Sequence, residues 1–143
     1  MDISQEEKIM KPQAFRLTNG TDLRKGIEEY CRKHGIISGC IITAVGSLYP
    51  ARMRLARGEV IKDFNDHYEI TSLTGTVSSD GLHLHITISD ENGKAYGGHL
   101  VHGCTVNTTA EIILLSLDDE YSFTREFDES TGYKELAITE NEH

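Results

Sequence analysis

Between Leu82 and Leu100 the chain reads LHLHITISDENGKAYGGHL, which places three of its seven histidines, His83, His85 and His99, in one short stretch. Residues at i and i+2 of a strand share a face and lie about 6.5–7 Å apart at Cα, so the imidazoles of His83 and His85 can converge on one ion. Alternation sends Leu82, Leu84, Ile86 and Ile88 to the opposite face, which must be the core side. The Asn92-Gly93 pair is a strong hairpin signal, and the strand returning from it carries His99 back past the first two histidines. Three histidine ligands with a fourth position open are the pattern of catalytic zinc sites, in which bound water becomes acidic enough to act near neutral pH. Gly97 and Gly98 would let a neighbouring backbone approach closely. The competing reading is a set of solvated or subunit-facing polar residues on an open sheet face, and the residues alone leave both readings standing. His102 falls on the other face of a regular strand from His99 and stays outside the set, while His34 and His67 are expected at the surface.

Other chemistry is more weakly signalled. Glu69 shares its parity with Leu73 and Val77, as a semi-buried acid would, and reads either as a partnered structural carboxylate or as a candidate general base. Glu111 is a second carboxylate inside an otherwise apolar run. Cys104 with a histidine would make a nucleophilic pair, but nothing near it would lower a thiol pKa, and a buried structural thiol is the simpler reading. GTVSSDG lacks the spacing and the lysine of a phosphate-binding loop. Aromatic and basic residues do not interleave as they do in single-strand nucleic-acid binders.

Around these residues the chain has the makings of one α+β domain. Its 143 residues suffice for a single core, and no apolar run approaches the length of a membrane span. The polar start MDISQEEKIMKPQ has none of the character of a signal peptide, and three scattered cysteines fit a reducing compartment, so the expected location is cytoplasmic. In TDLRKGIEEYCRKHG, Leu23, Ile27, Tyr30 and Cys31 form one apolar stripe, predicting an amphipathic helix over residues 21–34. Thr21 or Asp22 would cap its start and Gly35 would end it, with Glu28–Arg32 and Glu29–Lys33 as outer-face pairs. Runs rich in Ile, Val, Thr and aromatic residues predict strands at 40–48, 51–58, 67–78, 82–89, 95–103 and 108–117, followed by a hairpin over 122–138. The first of these has apolar or small residues on both parities, as in a strand buried on both faces, the sixth reads as a buried strand, and Gly75 is a candidate bulge. One helix among so many strands implies a mainly antiparallel sheet.

The formal net charge of −9 argues against sequence-independent binding to nucleic acid. Nine acidic and two basic residues lie between Asp118 and His143, so the excess gathers at one end. Residues 49–62 run the other way, with Arg52, Arg54, Arg57 and Lys62 against Glu59 alone, a segment suited to an anion or to a solvated rim.

Taken in order, ITAVGSL, YEITSLTGTVS, LHLHITISDENGKAYGGHL, GGHLVHGCTVNTTAEIILL and FTREFDESTGYKEL closely resemble the plants-and-prokaryotes-conserved domain, over about Ile9 to Ile138. The resemblance implies a single domain spanning 1–143 with a strongly bent antiparallel sheet, assembled as a homotrimer. Plant members join this domain to AT-hook segments and use it for self-association and for contacts with nuclear proteins, which implies a DNA-associated or interaction module as the alternative to an enzyme. No Arg-Gly-Arg core flanked by basic residues occurs in this sequence. The fold is also similar to acetolactate decarboxylase, a zinc enzyme with a His-x-His pair and a later histidine. Carried over by position, that likeness implies zinc on His83, His85 and His99, while its substrate does not carry over. A metal held there motivates either a hydrolytic or lyase-type reaction on a small anionic substrate, or ligand sensing.

Overall fold

The computed structural model describes residues 9–142. Ten strands and one helix follow in the order β1 (Lys11–Thr18), α1 (Leu23–Lys33), β2 (Ser38–Leu48), β3 (Ala51–Arg54), β4 (Ile61–Phe64), β5 (Tyr68–Ser78), β6 (Gly81–Ser89), β7 (Ala95–Leu100), β8 (Val106–Ser116), β9 (Tyr121–Asp128) and β10 (Tyr133–Glu140). Eight of them form one sheet in the order β1-β8-β2-β5-β6-β7-β3-β4, and β9 with β10 forms a separate hairpin. Every pairing is antiparallel, which confirms the α+β class with an open, mainly antiparallel sheet.

The helix forms where its apolar stripe was expected. The Asp22 carboxylate accepts the Lys25 N–H as N-cap, and Gly35 takes up the left-handed φ of 63° just beyond the last turn. Leu23, Gly26, Ile27 and Cys31 are buried against the sheet. Tyr30 stacks on Phe15 of β1 at 3.8 Å, while Arg24 donates to the carbonyls of Leu82 on β6 and Leu100 on β7, each at 2.9 Å. On a flat sheet β1 and β7 would stand roughly 24 Å apart at about 4.8 Å per strand. One short helix can touch both only because the sheet curls around it, so the strong bend is present.

The concave face carries the core. Leu84, Ile86 and Ile88 of β6 pack with Leu73 and Val77 of β5, Ile112 and Leu114 of β8, and Met53 and Leu100. Two expectations fail on the convex face. β2 and β8 are buried on one face only, leaving Ile42 and Val45 each 55% exposed and Ile113 40% exposed. The register of β2 on β8 shifts between Ile41 and Thr43, so Ile42 is an extra residue that reverses the parity beyond it. In β5 the bulge falls between Ile70 and Ser72, and Gly75 is in register. Gly75 serves a different need: a Cβ there would lie 2.0 Å from the His83 carbonyl oxygen, at a φ of 142°.

Two strands escape the sequence pattern. β1 is an edge strand whose half-buried Phe15 and Leu17 alternate too briefly to announce it. The expected strand over 51–58 ends at Arg54 and turns through Arg57 and Gly58, both with positive φ, so that β4 pairs back on β3. The outer-face helix pairs also differ, because Glu28 is taken by Arg24 at 2.9 Å and by His102 at 3.2 Å.

Candidate metal centre

The strands set the three histidines by register. On β6, His83 and His85 alternate with the fully buried Leu84, so core packing fixes which way their side chains leave the sheet. The β6–β7 loop is closed by Asp90, whose carboxylate accepts the N–H groups of Asn92 and Lys94 at 2.9 Å, with Gly93 at a φ of 77°. That closure puts His99 directly opposite His85 in the antiparallel ladder, and cross-strand partners project to the same face. Arg24 braces the arrangement from the core side, since its two carbonyl partners belong to the residues adjoining His83 and His99. Gly98 allows β3 to close on β7: a Cβ there would lie 2.8 Å from the Arg54 carbonyl oxygen.

The rings meet. Centroids stand 5.1 Å apart for His83 and His85, 5.3 Å for His83 and His99, and 5.7 Å for His85 and His99. One nitrogen from each can be chosen so that all three lie within 4.8 Å of one another. Tetrahedral zinc at 2.0–2.1 Å needs its nitrogens about 3.3 Å apart, a difference that small ring rotations can close. Among the described residues none of the three rings makes a hydrogen bond, so their nitrogens are uncommitted. Three imidazole nitrogen donors with an open side suit a borderline-soft divalent ion, and the residues fit the zinc that the sequence implied.

Their electrostatics favour the metal-ready form. Burial, reinforced by the cations of Arg54 and Arg24 and by the other two rings, pushes His99 down to about 4. His83 is lowered as well, chiefly by burial and then by Arg125 and His85, with Glu135 acting in the opposite direction. At neutral pH His99 therefore presents a lone pair and no competing proton. In the metal-free protein His99 stays neutral where the unfolded chain, titrating near 6.5, takes up a proton, so the folded state loses stability as pH falls from about 6.5 towards 4. Denaturation of chelator-treated protein at pH 7 and pH 5 should show this component on the order of 1 kcal/mol, reduced by solvent screening of a partly exposed ring. His99→Gln should flatten the pH dependence by that amount; an unchanged slope would contradict the lowered His99.

A hollow of about 780 Å³ opens over His83 and His99. Arg54 and Arg57 line one part of it, and Arg125, Tyr133, Lys134 and Glu135 of the β9–β10 hairpin line another. His85 completes the cluster without lining the hollow itself. The hairpin residues carried no signal in the sequence, since nothing local shows that a C-terminal acidic hairpin folds back onto β5. It is anchored by the Ser79 N–H donating to the Phe123 carbonyl at 2.9 Å and by the Arg125 N–H donating to Asp80 at 2.9 Å.

Glu69 stands elsewhere, exposed in a second hollow with His67 and Asp90. Its expected semi-burial assumed unbroken parity, and the extra residue between Ile70 and Ser72 turns it outward. Glu111 is exposed too. Cys104 is wholly buried, its thiol donates to the Arg52 carbonyl at 3.1 Å, and burial pushes its pKa up to about 11, as suits a structural thiol. His34 and His67 are exposed, and His102 turns away to Glu28.

Among known proteins the chain is 41% identical over 129 residues to the bifunctional protein GlmU of Synechococcus sp. (strain JA-2-3B'a(2-13)), matching 90% of this chain and 20% of that one. It thus spans about a fifth of the length of that relative. A hypothetical protein from Salmonella enterica has the same fold at a TM-score of 0.89 and 30% identity, over 94% of this chain and 97% of the other. A metal-containing protein from Archaeoglobus fulgidus superposes at a TM-score of 0.79 with 31% identity, over 96% of this chain and 99% of that one. The family model described as the Plants and Prokaryotes Conserved (PCC) domain matches residues 4–118. With this match over most of its length, the chain belongs to the Plants and Prokaryotes Conserved (PCC) domain family.

Proposed function

We propose that this protein is a metal-dependent catalyst or sensor of a small molecule, with zinc held by His83, His85 and His99. The observation that carries this reading is the convergence of three uncommitted imidazoles within 4.8 Å, two of which, His83 and His99, line a hollow. The similarity to a metal-containing protein of Archaeoglobus fulgidus supports it. When bound, a divalent ion on three protein ligands supplies Lewis acidity at a position left open to solvent. The chain's own contribution is to hold the three rings on one rigid face, to keep His99 unprotonated, and to wall the hollow with the β9–β10 hairpin. A hydrolytic or lyase-type reaction is the chemistry such an arrangement serves.

The same reading includes assembly as a cytoplasmic homotrimer. Ile42, Val45 and Ile113 form an uncovered apolar surface on β2 and β8, as subunit contacts require. Among the described residues no helix is long and apolar enough to cross a membrane. Purification without a histidine tag, followed by metal analysis and sedimentation equilibrium, tests both parts. About one zinc per chain and three chain masses are expected. Less than roughly 0.1 equivalent, unchanged on adding zinc, would reject the metal centre, and a monomer would reject the assembly.

A further inference from the structure

The hollow over the histidines is more positive than the chain that builds it. Arg54, Arg57, Arg125 and Lys134 face it against Asp80 and Glu135, in a protein of net charge −9. None of these four cations is in an ion pair among the described residues; the pairs present are Arg24–Glu28, Arg52–Asp63 and His102–Glu28. Arg52 makes the contrast clear. It lies two residues from Arg54 on the same face of β3, and Asp63 neutralises it at 2.7 Å. Arg54 has no such carboxylate.

The two best placed guanidinium groups stand on opposite sides of the histidines. Arg54 is the ladder partner of His99 across β3 and β7, so its side chain leaves the sheet on the histidine face. Arg125 reaches in from the hairpin and donates to Thr76 Oγ1 at 3.1 Å, and Thr76 is the ladder partner of His83. Guanidinium groups present fixed forks of donors that match carboxylate or phosphate oxygens. Holding several unpaired beside a cation site is unfavourable unless an anion joins them. The volume of about 780 Å³ falls within the range of small-molecule sites, and a concave setting on an acidic protein does not suit a duplex.

Resting on the metal-centre reading above, we infer that the site takes a small organic dianion, with one oxyanion group directed to the ion on His83, His85 and His99 and the other clamped by Arg54 and Arg125. Glu135, the carboxylate facing His83, sets a limit on how much negative charge the ligand can carry on that side. Carboxylate and phosphate share this chemistry, and the choice of probe separates them.

Calorimetric titration of zinc-loaded protein with succinate, the phosphate-monomethyl ester of 2-phosphoglycolate and acetate tests the inference, with zinc content measured on every sample. At least one of the two dianions should bind about ten-fold or more tightly than acetate, and whichever does so identifies the preferred group. Arg54→Gln and Arg125→Gln should each weaken that dianion about ten-fold at unchanged zinc content, while Glu135→Gln should tighten it by about two- to five-fold. Neither dianion surpassing acetate, or both arginine variants binding as the parent does, would overturn the clamp. If the parent takes up no zinc, it is the metal reading that fails, and the clamp is judged on the metal-free protein. Dianion binding lost with Arg125→Gln would then uphold it, and absence of binding would overturn it.

Discussion

Replacing His83 and His85 together by alanine is expected to reduce bound zinc from about one ion per chain to below roughly 0.1, while the urea midpoint of the metal-free protein stays where it was. Both side chains are exposed on the convex face, and surface substitutions away from special features usually change stability by no more than about 0.5 kcal/mol. The backbone beneath them is held by ladders to β5 and β7 that do not involve the rings. Two of the three proposed ligands are removed, and His99 alone would not retain an ion. Plasma mass spectrometry of untagged protein, beside a denaturation curve of the same preparation, gives the answer. Full zinc content in the double variant would place the ion elsewhere, and unfolding would show that the histidines serve the fold.

Leu84→Ala should do the reverse. Leu84 stands between the two histidines in sequence and is 0% exposed on the other side of the same strand. Truncating a buried leucine removes its transfer energy and leaves a cavity, at a cost of about 2–5 kcal/mol in a well-packed interior. The bent sheet and the helix close on this side chain from several directions, as the neighbouring Leu73, Ile86 and Ile112 are also buried. Urea unfolding at fixed protein concentration should show the loss, with zinc still near one per chain in the fraction that remains folded. A change below about 1 kcal/mol would mean that this layer of the core repacks freely. Alternate residues of one strand thus separate chemistry from stability.

That separation was legible in LHLHITIS, because period-two alternation is local and His83, His85 and Leu84 follow it without interruption. The Asn92-Gly93 turn was legible for the same reason, although the loop runs over Asp90 to Lys94 with its own carboxylate holding it. The helical stripe and its Asp22 cap could be read as well, being confined to neighbouring residues. What escaped depends on partners far along the chain. A bulge exists only relative to the strand opposite, so neither the extra residue at Ile42 nor the one beside Ile70 left a trace, and Glu69 and the exposed face of β2 were misplaced accordingly. β4 was hidden because Ile61 to Phe64 becomes a strand by pairing with β3, its own four residues being half polar and, apart from Phe64, exposed. A third of the residues lining the hollow come from a hairpin more than 35 residues beyond His83, brought there by tertiary contacts that no spacing rule expresses.

The ladder pairing of His85 with His99 also bears on what an ion can do for this protein. A metal that ties two distant parts of an unfolded chain stabilises the fold by restricting a long loop, with a gain that grows with the logarithm of loop length. Here the ties run within one short hairpin, whose loop the backbone has already closed. The entropy available to such a cross-link is correspondingly small, in contrast to domains that fold around their zinc. An ion held at this position would thereby be freed from architecture, and the sheet could release or exchange it without unfolding.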